Sequence, residues 1–341
     1  MSNKSTELKH LFYASNFIAL SNYLTIIEEK KLNLENCIFY SPRNINSTIH
    51  IKKEINFIEV ENIQLTKSRN HFFKNRLKTY SFINKINRQL NNTFYHLYIP
   101  HLINYREKLL LLNKKCKRYS FVEEGLPAYR SDFKSEAKNI RFSLNYSNIH
   151  ESKPLRIDYT KYEGSYGTNE FAFHWMPKKK EVKLNFNHDA YEKLNASATY
   201  KNILGLDSPH TFSDFSIYLK CIRSLIDNHF PITEEILYLK FHPDYKKKSL
   251  LKNEIIKIFK DKNMVYEILD ENMLIERYVQ KNNNITLYNI NSTLILYVLI
   301  AGGKAVQFGN ELKKSDRKLE YSINLIQSTL HQMRLNLTEI Y

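Results

Sequence analysis

The feature of this sequence that most limits its fold is an alternation of short β-prone runs with helix-periodic segments, which passes through the first half of the chain and then begins again. Residues 11–14 read as a strand, Ser15 and Asn16 as a turn, and residues 17–30 as a helix with apolar side chains at helical spacing. Residues 37–40 and 56–60 follow as short strands, residues 66–90 as a basic helix, and residues 96–99 and 119–122 as further strands. Strands separated by helices need crossover connections, so the pattern predicts a parallel, doubly wound sheet. Between residues 129 and 193 the periodicity weakens, which puts the domain junction near Trp175, Met176 and Pro177.

Beyond the junction the alternation restarts with a helix at 212–228, a strand at 236–241 and a helix at 250–260. A strand at 264–269, a helix at 273–279 and a strand at 285–290 follow. Ser292 and Thr293 open a short apolar helix that stops at Gly302 and Gly303, then comes a strand at 305–308 and a last amphipathic helix at 315–337 with Ser315 as its N-cap. A chain of 341 residues exceeds what one hydrophobic core serves comfortably. The expected division is residues 1–180, residues 181–314, and a terminal segment 315–341 that packs back on the first domain.

Charge bears on the partner. The formal net charge of +16 predicts attraction to something anionic, whether nucleic acid, an acidic glycan or a lipid surface. No helix-turn-helix, RNA-recognition or zinc signature is present, and the basic residues are scattered, so no nucleic-acid partner is expected. The runs at 178–180 and 246–248 and the basic stretch 67–85 read as solvated faces that can also meet an anionic acceptor or lipid headgroups. Cys37, Cys116 and Cys221 are far apart and form no paired motif, which argues against a disulfide framework and for a reducing cytoplasm. The polar first nine residues predict no signal peptide, and the longest apolar run, 294–301, is too short to span a bilayer. Any membrane contact is therefore expected to be peripheral.

Two short pieces carry the chemistry. Glu123, Glu124 and Gly125 follow the strand at 119–122, and His242 and Pro243 follow the strand at 236–241. In open α/β sheets ligands bind outside the carboxyl ends of the strands. A carboxylate at one such end and an imidazole at another make an acid/base pair. Gly125 fits a turn with positive φ or a close substrate approach, and Pro243 fixes the backbone leaving its strand.

Together with Ser292 and Thr293, these residues resemble the three-motif signature of bacterial sialyltransferases: the lipooligosaccharide sialyltransferases, the capsular polysialyltransferases and the multifunctional marine and Pasteurella-type enzymes. The resemblance implies a GT-B fold, two Rossmann-like domains with parallel sheets facing a central cleft, with the acceptor on the first domain and the nucleotide on the second. It implies inverting, metal-independent transfer of sialic acid from CMP-sialic acid to a hydroxyl of a bacterial surface glycan at the inner membrane. The donor is then a substrate, and no cofactor is expected. In this reading Glu123 is the general base, while Glu124 either replaces it or orients a neighbour. His242, Ser292 and Thr293 meet the leaving phosphate, Glu276 holds the ribose hydroxyls, and Ser15 and Asn16 touch the carboxylate or phosphate of the donor. A GT-B transferase with another donor, CMP-Kdo or a UDP-sugar, is the alternative within the same architecture, and a basic nucleic-acid-binding protein is the alternative of another class. The acceptor and the linkage are not set by these motifs.

Overall fold

The computed structural model describes residues 8–42, 55–58, 72–102, 105–130, 159–188, 200–230, 235–270 and 273–339. The expected strand residues 59–60 and helix residues 66–71 lie outside these. The chain forms two compact units, Met1–Glu192 and Lys193–Tyr341.

The first unit contains strands β1 (Lys9–Tyr13), β2 (Cys37–Tyr40), β3 (Phe57–Ile58), β4 (Tyr95–Ile99), β5 (Cys116–Val122), β6 (Tyr162–Gly167) and β7 (Lys179–Glu181). Helices α1 (Phe17–Glu29), α2 (Phe72–Gln89) and α3 (Tyr105–Leu112) connect them. The sheet order is β3-β2-β1-β4-β5-β6-β7, and the strands pair in parallel throughout. Strand order therefore reverses between β1 and β4, which is where an open α/β sheet leaves a crevice. Helices cover both faces of such a sheet, so its central strands need apolar residues on both sides. Leu11, Phe12 and Tyr13 of β1 and Leu97, Tyr98 and Ile99 of β4 are all buried. Phe12 stacks on Tyr98 at 4.4 Å and on Phe39 at 5.0 Å between ring centroids. Each such pair adds about 0.5–1.5 kcal/mol beyond the area it buries.

The second unit repeats the plan with β8 (Asn202–Leu206), β9 (Leu237–Phe241), β10 (Tyr266–Ile268), β11 (Thr286–Asn289), β12 (Lys304–Gln307) and β13 (Thr338–Glu339). Its helices are α4 (Phe215–His229), α5 (Ser249–Asp261), α6 (Ile275–Lys281), α7 (Leu294–Ile300), α8 (Glu311–Ser315) and α9 (Arg317–Gln332). The order β10-β9-β8-β11-β12-β13 is again parallel and reverses between β8 and β11.

The structure departs from the sequence-based expectation in several places. The stretch read as unpatterned contains β6 and β7, and β8 and α3 were not anticipated either. In β6, Gly167 is required by packing, since a Cβ there would lie 2.4 Å from the Cβ of Ala172. Such tight positions carry no apolar signal. Of residues 315–341, expected to pack back on the first domain, α9 and β13 join the second unit: Leu319 and Ile323 of α9 enter the core around Ile222, Leu239 and Phe259, and β13 extends the sheet. The N-cap of α9 is also one residue later than expected, since Asp316 Oδ1 accepts from the N–H of Leu319 at 3.3 Å. No helix among the described residues is long and apolar enough to cross a membrane.

Leu239 is fully buried at the centre of the second unit's core, whereas Leu250 is 78% exposed on α5. Leu239→Ala should cost about 2–5 kcal/mol in urea denaturation, and Leu250→Ala should change stability by less than about 0.5 kcal/mol.

Candidate active site

In the first unit the candidate residues leave the carboxyl ends of β1 and β4, which flank the order reversal, and of the neighbouring β5. Ser15 and Asn16 follow β1, His101 follows β4, and Glu123 and Glu124 follow β5. Asn16 caps α1, its side-chain oxygen accepting from the N–H of Ala19 at 2.9 Å, while its amide nitrogen donates to the Glu124 carbonyl at 2.9 Å. Gly125 adopts φ 139°, a conformation that favours glycine, and this matches the turn anticipated there.

The two glutamates face different surroundings. Glu123, expected as the base, is fully buried. Its carboxylate accepts from the hydroxyl of Tyr129 at 2.6 Å and from the N–H and hydroxyl of Thr168 at 2.6 and 2.8 Å. The loop carrying Thr168 is held in turn: Asn169 donates to the Tyr129 hydroxyl at 2.7 Å, the Phe173 N–H donates to the Ala128 carbonyl at 2.7 Å, and the Phe173 ring stacks on Phe121. A carboxylate enclosed in this way reaches an external hydroxyl only by giving up three short hydrogen bonds. Glu123 is thus built as an anchor between β5 and the loop after β6.

Glu124 points the other way, with its side chain 12% exposed. Its carboxylate accepts from the Ser15 hydroxyl and pairs with His101 Nε2 at 2.8 Å. His101 Nδ1 pairs at 2.9 Å with Glu107, a fully buried carboxylate in the first turn of α3. Burial opposes charge on His101, but the hydrogen bonds and charges of Glu107 and Glu124 outweigh it and push the imidazolium up to about 10. Sequence reasoning missed His101 and Glu107. The strand-end rule that selected Glu123 and His242 applies equally to His101, two residues past β4.

The second unit holds a cavity of about 240 Å³ at its own order reversal, lined by residues from the ends of β8, β9 and β11 and from the start of α6. It gathers His242, Pro243, Glu276, Ser292 and Thr293, so five residues singled out from sequence share one pocket. Lys240, Asp207 and Asn289, not singled out, line it as well. His242 Nδ1 lies 3.2 Å from the Asp244 N–H and 3.3 Å from the Asp244 carboxylate. Asp244 is itself held by the Ser208 hydroxyl at 2.5 Å. Burial pushes the Glu276 carboxyl up, and Lys240 opposes that rise.

The turn from Asn289 to Leu294 is scaffolded on several sides. Asn289 donates to the Gly205 carbonyl at 2.7 Å and accepts from the Ser292 N–H at 2.6 Å. Gln307 donates to the Ile290 carbonyl at 2.8 Å and is itself held by Gln327 of α9. The N–H groups of Ile290, Ser292, Leu294 and Ile295 all donate within the fold. The turn therefore presents the Ser292 and Thr293 hydroxyls more than the amides expected at a helix start. Asp207 Oδ2 accepts from the Ile290 N–H at 3.4 Å, and burial raises its carboxyl to about 7 despite that donor and others on the turn.

Residues 9–307 match the family model described as Alpha-2,8-polysialyltransferase (POLYST). Among solved structures, the chain is similar to the GT-B domain of a sialyltransferase from Photobacterium damselae, with a TM-score of 0.54 and 11% identity, covering 98% of this chain and 100% of that one. It is also similar to Staphylococcus aureus MnaA bound to UDP, with a TM-score of 0.48 and 12% identity, covering 90% of this chain and 82% of that one. The first likeness supports the GT-B fold. No curated protein matches this chain by sequence.

Asp207 also makes a stability prediction. Its carboxyl is raised in the fold from 3.8 to about 7, so the stability it contributes is present below pH 4 and lost as pH rises through 7. Asp207→Asn keeps an acceptor oxygen and removes the ionisation. In urea denaturation the difference between wild type and variant should therefore swing toward the variant across that window, by at most about 1.4 kcal/mol per pH unit. Parallel pH dependences would mean that Asp207 is ionised throughout.

Proposed function

The chain belongs to the alpha-2,8-polysialyltransferase family and is a glycosyltransferase of the sialyltransferase type, and on that premise we propose that it transfers sialic acid from CMP-sialic acid to a hydroxyl of a sialylated bacterial surface glycan, by an inverting and metal-independent route. The observation that carries this reading is the second unit's cavity, which collects the donors and acceptors of His242, Lys240, Ser292, Thr293 and Glu276 around about 240 Å³. Loss of CMP puts negative charge on the leaving phosphate. Ser292 and Thr293 can donate hydroxyls to it, Lys240 supplies positive charge, and the His242 imidazole can donate a ring N–H. Glu276, at the same pocket, suits the ribose hydroxyls as a carboxylate acceptor.

In the first unit we assign the base to Glu124 rather than Glu123. The reason is access, since Glu124 reaches the surface of the strand-end crevice whereas Glu123 is fully buried. The acceptor O–H breaks as its oxygen forms the bond to the anomeric carbon, the proton passes to Glu124, and the glycosidic electron pair leaves with the phosphate of CMP. Acting on an anionic glycan at the inner face of the membrane, a chain of net charge +16 is drawn to both acceptor and lipid surface.

Incubation with CMP-sialic acid and a panel of galactosides and sialosides, read by mass spectrometry, tests the reading directly. Transfer only from a UDP-sugar or CMP-Kdo would overturn the donor assignment, and activity abolished by EDTA and restored by Mn²⁺ would overturn the metal-free route.

Variants separate the roles. Glu124→Gln should lower kcat by roughly 10²–10⁴-fold with CMP affinity retained, as expected for a lost general base. Glu123→Gln should act mainly on stability. His242→Ala and the double variant Ser292→Ala/Thr293→Ala should weaken CMP binding in calorimetry. A dead Glu123→Gln that is fully folded, beside an active Glu124→Gln, would return the base to the first glutamate.

A further inference from the structure

We propose that the outer face of α2 and the corner at its carboxyl end, where Phe94 and Lys117 lie, form a surface that docks on an anionic lipid bilayer. This places the lipid contact suggested above on one face of the first unit, and vesicle binding tests it apart from sialyl transfer.

The positive charge of the chain is concentrated. Residues 62–122 hold thirteen lysines and arginines and a single carboxylate, Glu107, which is fully buried. Within α2 there are five cations and no acid. Its inner side is fixed by the buried Phe82 and Ile86. With about 3.6 residues per turn, Leu77, Tyr80 and Arg88 fall on the opposite side. Leu77 is 69% and Tyr80 67% exposed, and Arg76, Lys85 and Arg88 are exposed around them. Two large apolar side chains one turn apart and turned away from the core add nothing to folding, and such a patch marks a contact surface.

The corner continues the pattern. Asn113, just past α3, donates to Asn87 of α2 at 2.8 Å and so holds the ends of the two helices together. Beside it stand the exposed Leu112 and Lys114. The Phe94 ring is 41% exposed, with the Lys117 and Lys115 ammonium groups 4.3 and 5.0 Å from its centroid. On β5 the exposed Glu163 is paired with Arg118 at 3.5 Å. Phe94 and Lys117 lie at the amino ends of β4 and β5, whereas Ser15, His101 and Glu124 follow the carboxyl ends of their strands. A bilayer at this corner therefore leaves the strand-end crevice open.

The combination of side chains selects the occupant. An acidic glycan or a nucleic acid answers the cations but offers no hydrocarbon to Leu77 or Phe94. The boundary of an anionic bilayer offers both, with headgroups for the guanidinium and ammonium groups and acyl chains for the apolar side chains between them.

The test is cosedimentation of the full chain with phosphatidylcholine vesicles containing phosphatidylglycerol, beside vesicles of phosphatidylcholine alone, at about 0.15 M salt. The wild-type chain should bind the anionic vesicles and leave the neutral ones. Arg88→Gln/Lys117→Gln should lower the partition coefficient about 25-fold, since each cation near such a surface is worth about fivefold. Leu77→Ser/Tyr80→Ser keeps every charge and should lower it about 10-fold. All four side chains are exposed, so both variants should melt with the wild type and transfer sialic acid to a soluble sialoside unchanged. Should one pair fail to fold, the other carries the prediction. A wild-type chain that ignores the anionic vesicles, or either folded variant binding as well as wild type, overturns the inference. Unchanged binding by Leu77→Ser/Tyr80→Ser, with displacement by soluble oligosialic acid, would give the face to a glycan instead. A chain that binds vesicles through this face yet transfers no sialic acid would sink the proposed function and leave this inference standing.

Discussion

Both units depend on one constraint, the reversal of strand order in a parallel sheet covered on both faces. Once β1 and β4, or β8 and β11, are buried on each side, their backbone groups are satisfied by the ladder and most of their buried side chains are apolar. Polar side chains that are to meet a ligand have one place left to emerge, the ends of the strands. The reversal opens space there because the connections leave in opposite directions. Ser15, His101 and Glu124 in one unit, and Asp207, His242 and Ser292 in the other, are consequences of this single rule.

The second theme is the treatment of buried carboxylates. Glu107 meets an imidazolium, Glu123 meets three neutral donors, and Asp207 lies among backbone N–H groups and is driven by burial toward its protonated form. A charge removed from water must be paired, hydrogen-bonded or neutralised, and these three carboxylates take one solution each. The choice sets the role. A carboxylate saturated by donors is an anchor, whereas one joined to an imidazolium forms a buried ion pair.

Rigidity around the second cavity comes from side chains well away from it. The turn bearing Ser292 and Thr293 is held through Gln307 to Gln327 of α9. Lys313 of α8 donates to the same Gln327 at 2.9 Å. The C-terminal helices are therefore part of that cavity's support, and their core residues Leu319 and Ile323 belong with the second unit.

Most of the strand–helix order was legible in the sequence, because parallel strands buried on both faces leave apolar runs that stand out, as at residues 37–40 and 236–241. So were the motif residues, since Glu124, His242 and Ser292 follow such runs. What stayed hidden were elements without that signal: β6, whose Gly167 answers to the close approach of Ala172, and β8, whose Gly205 sits under Asn289. With β8 unseen, Asp207 at its end could not be found. The sequence by itself determined the two-part α/β architecture and the chemistry available at the strand ends, because periodicity and residue type are local properties. Only the tertiary structure decided which of two adjacent glutamates is enclosed and which is reachable, because that turns on Thr168, Tyr129, His101 and Glu107, brought together by the fold from separate segments.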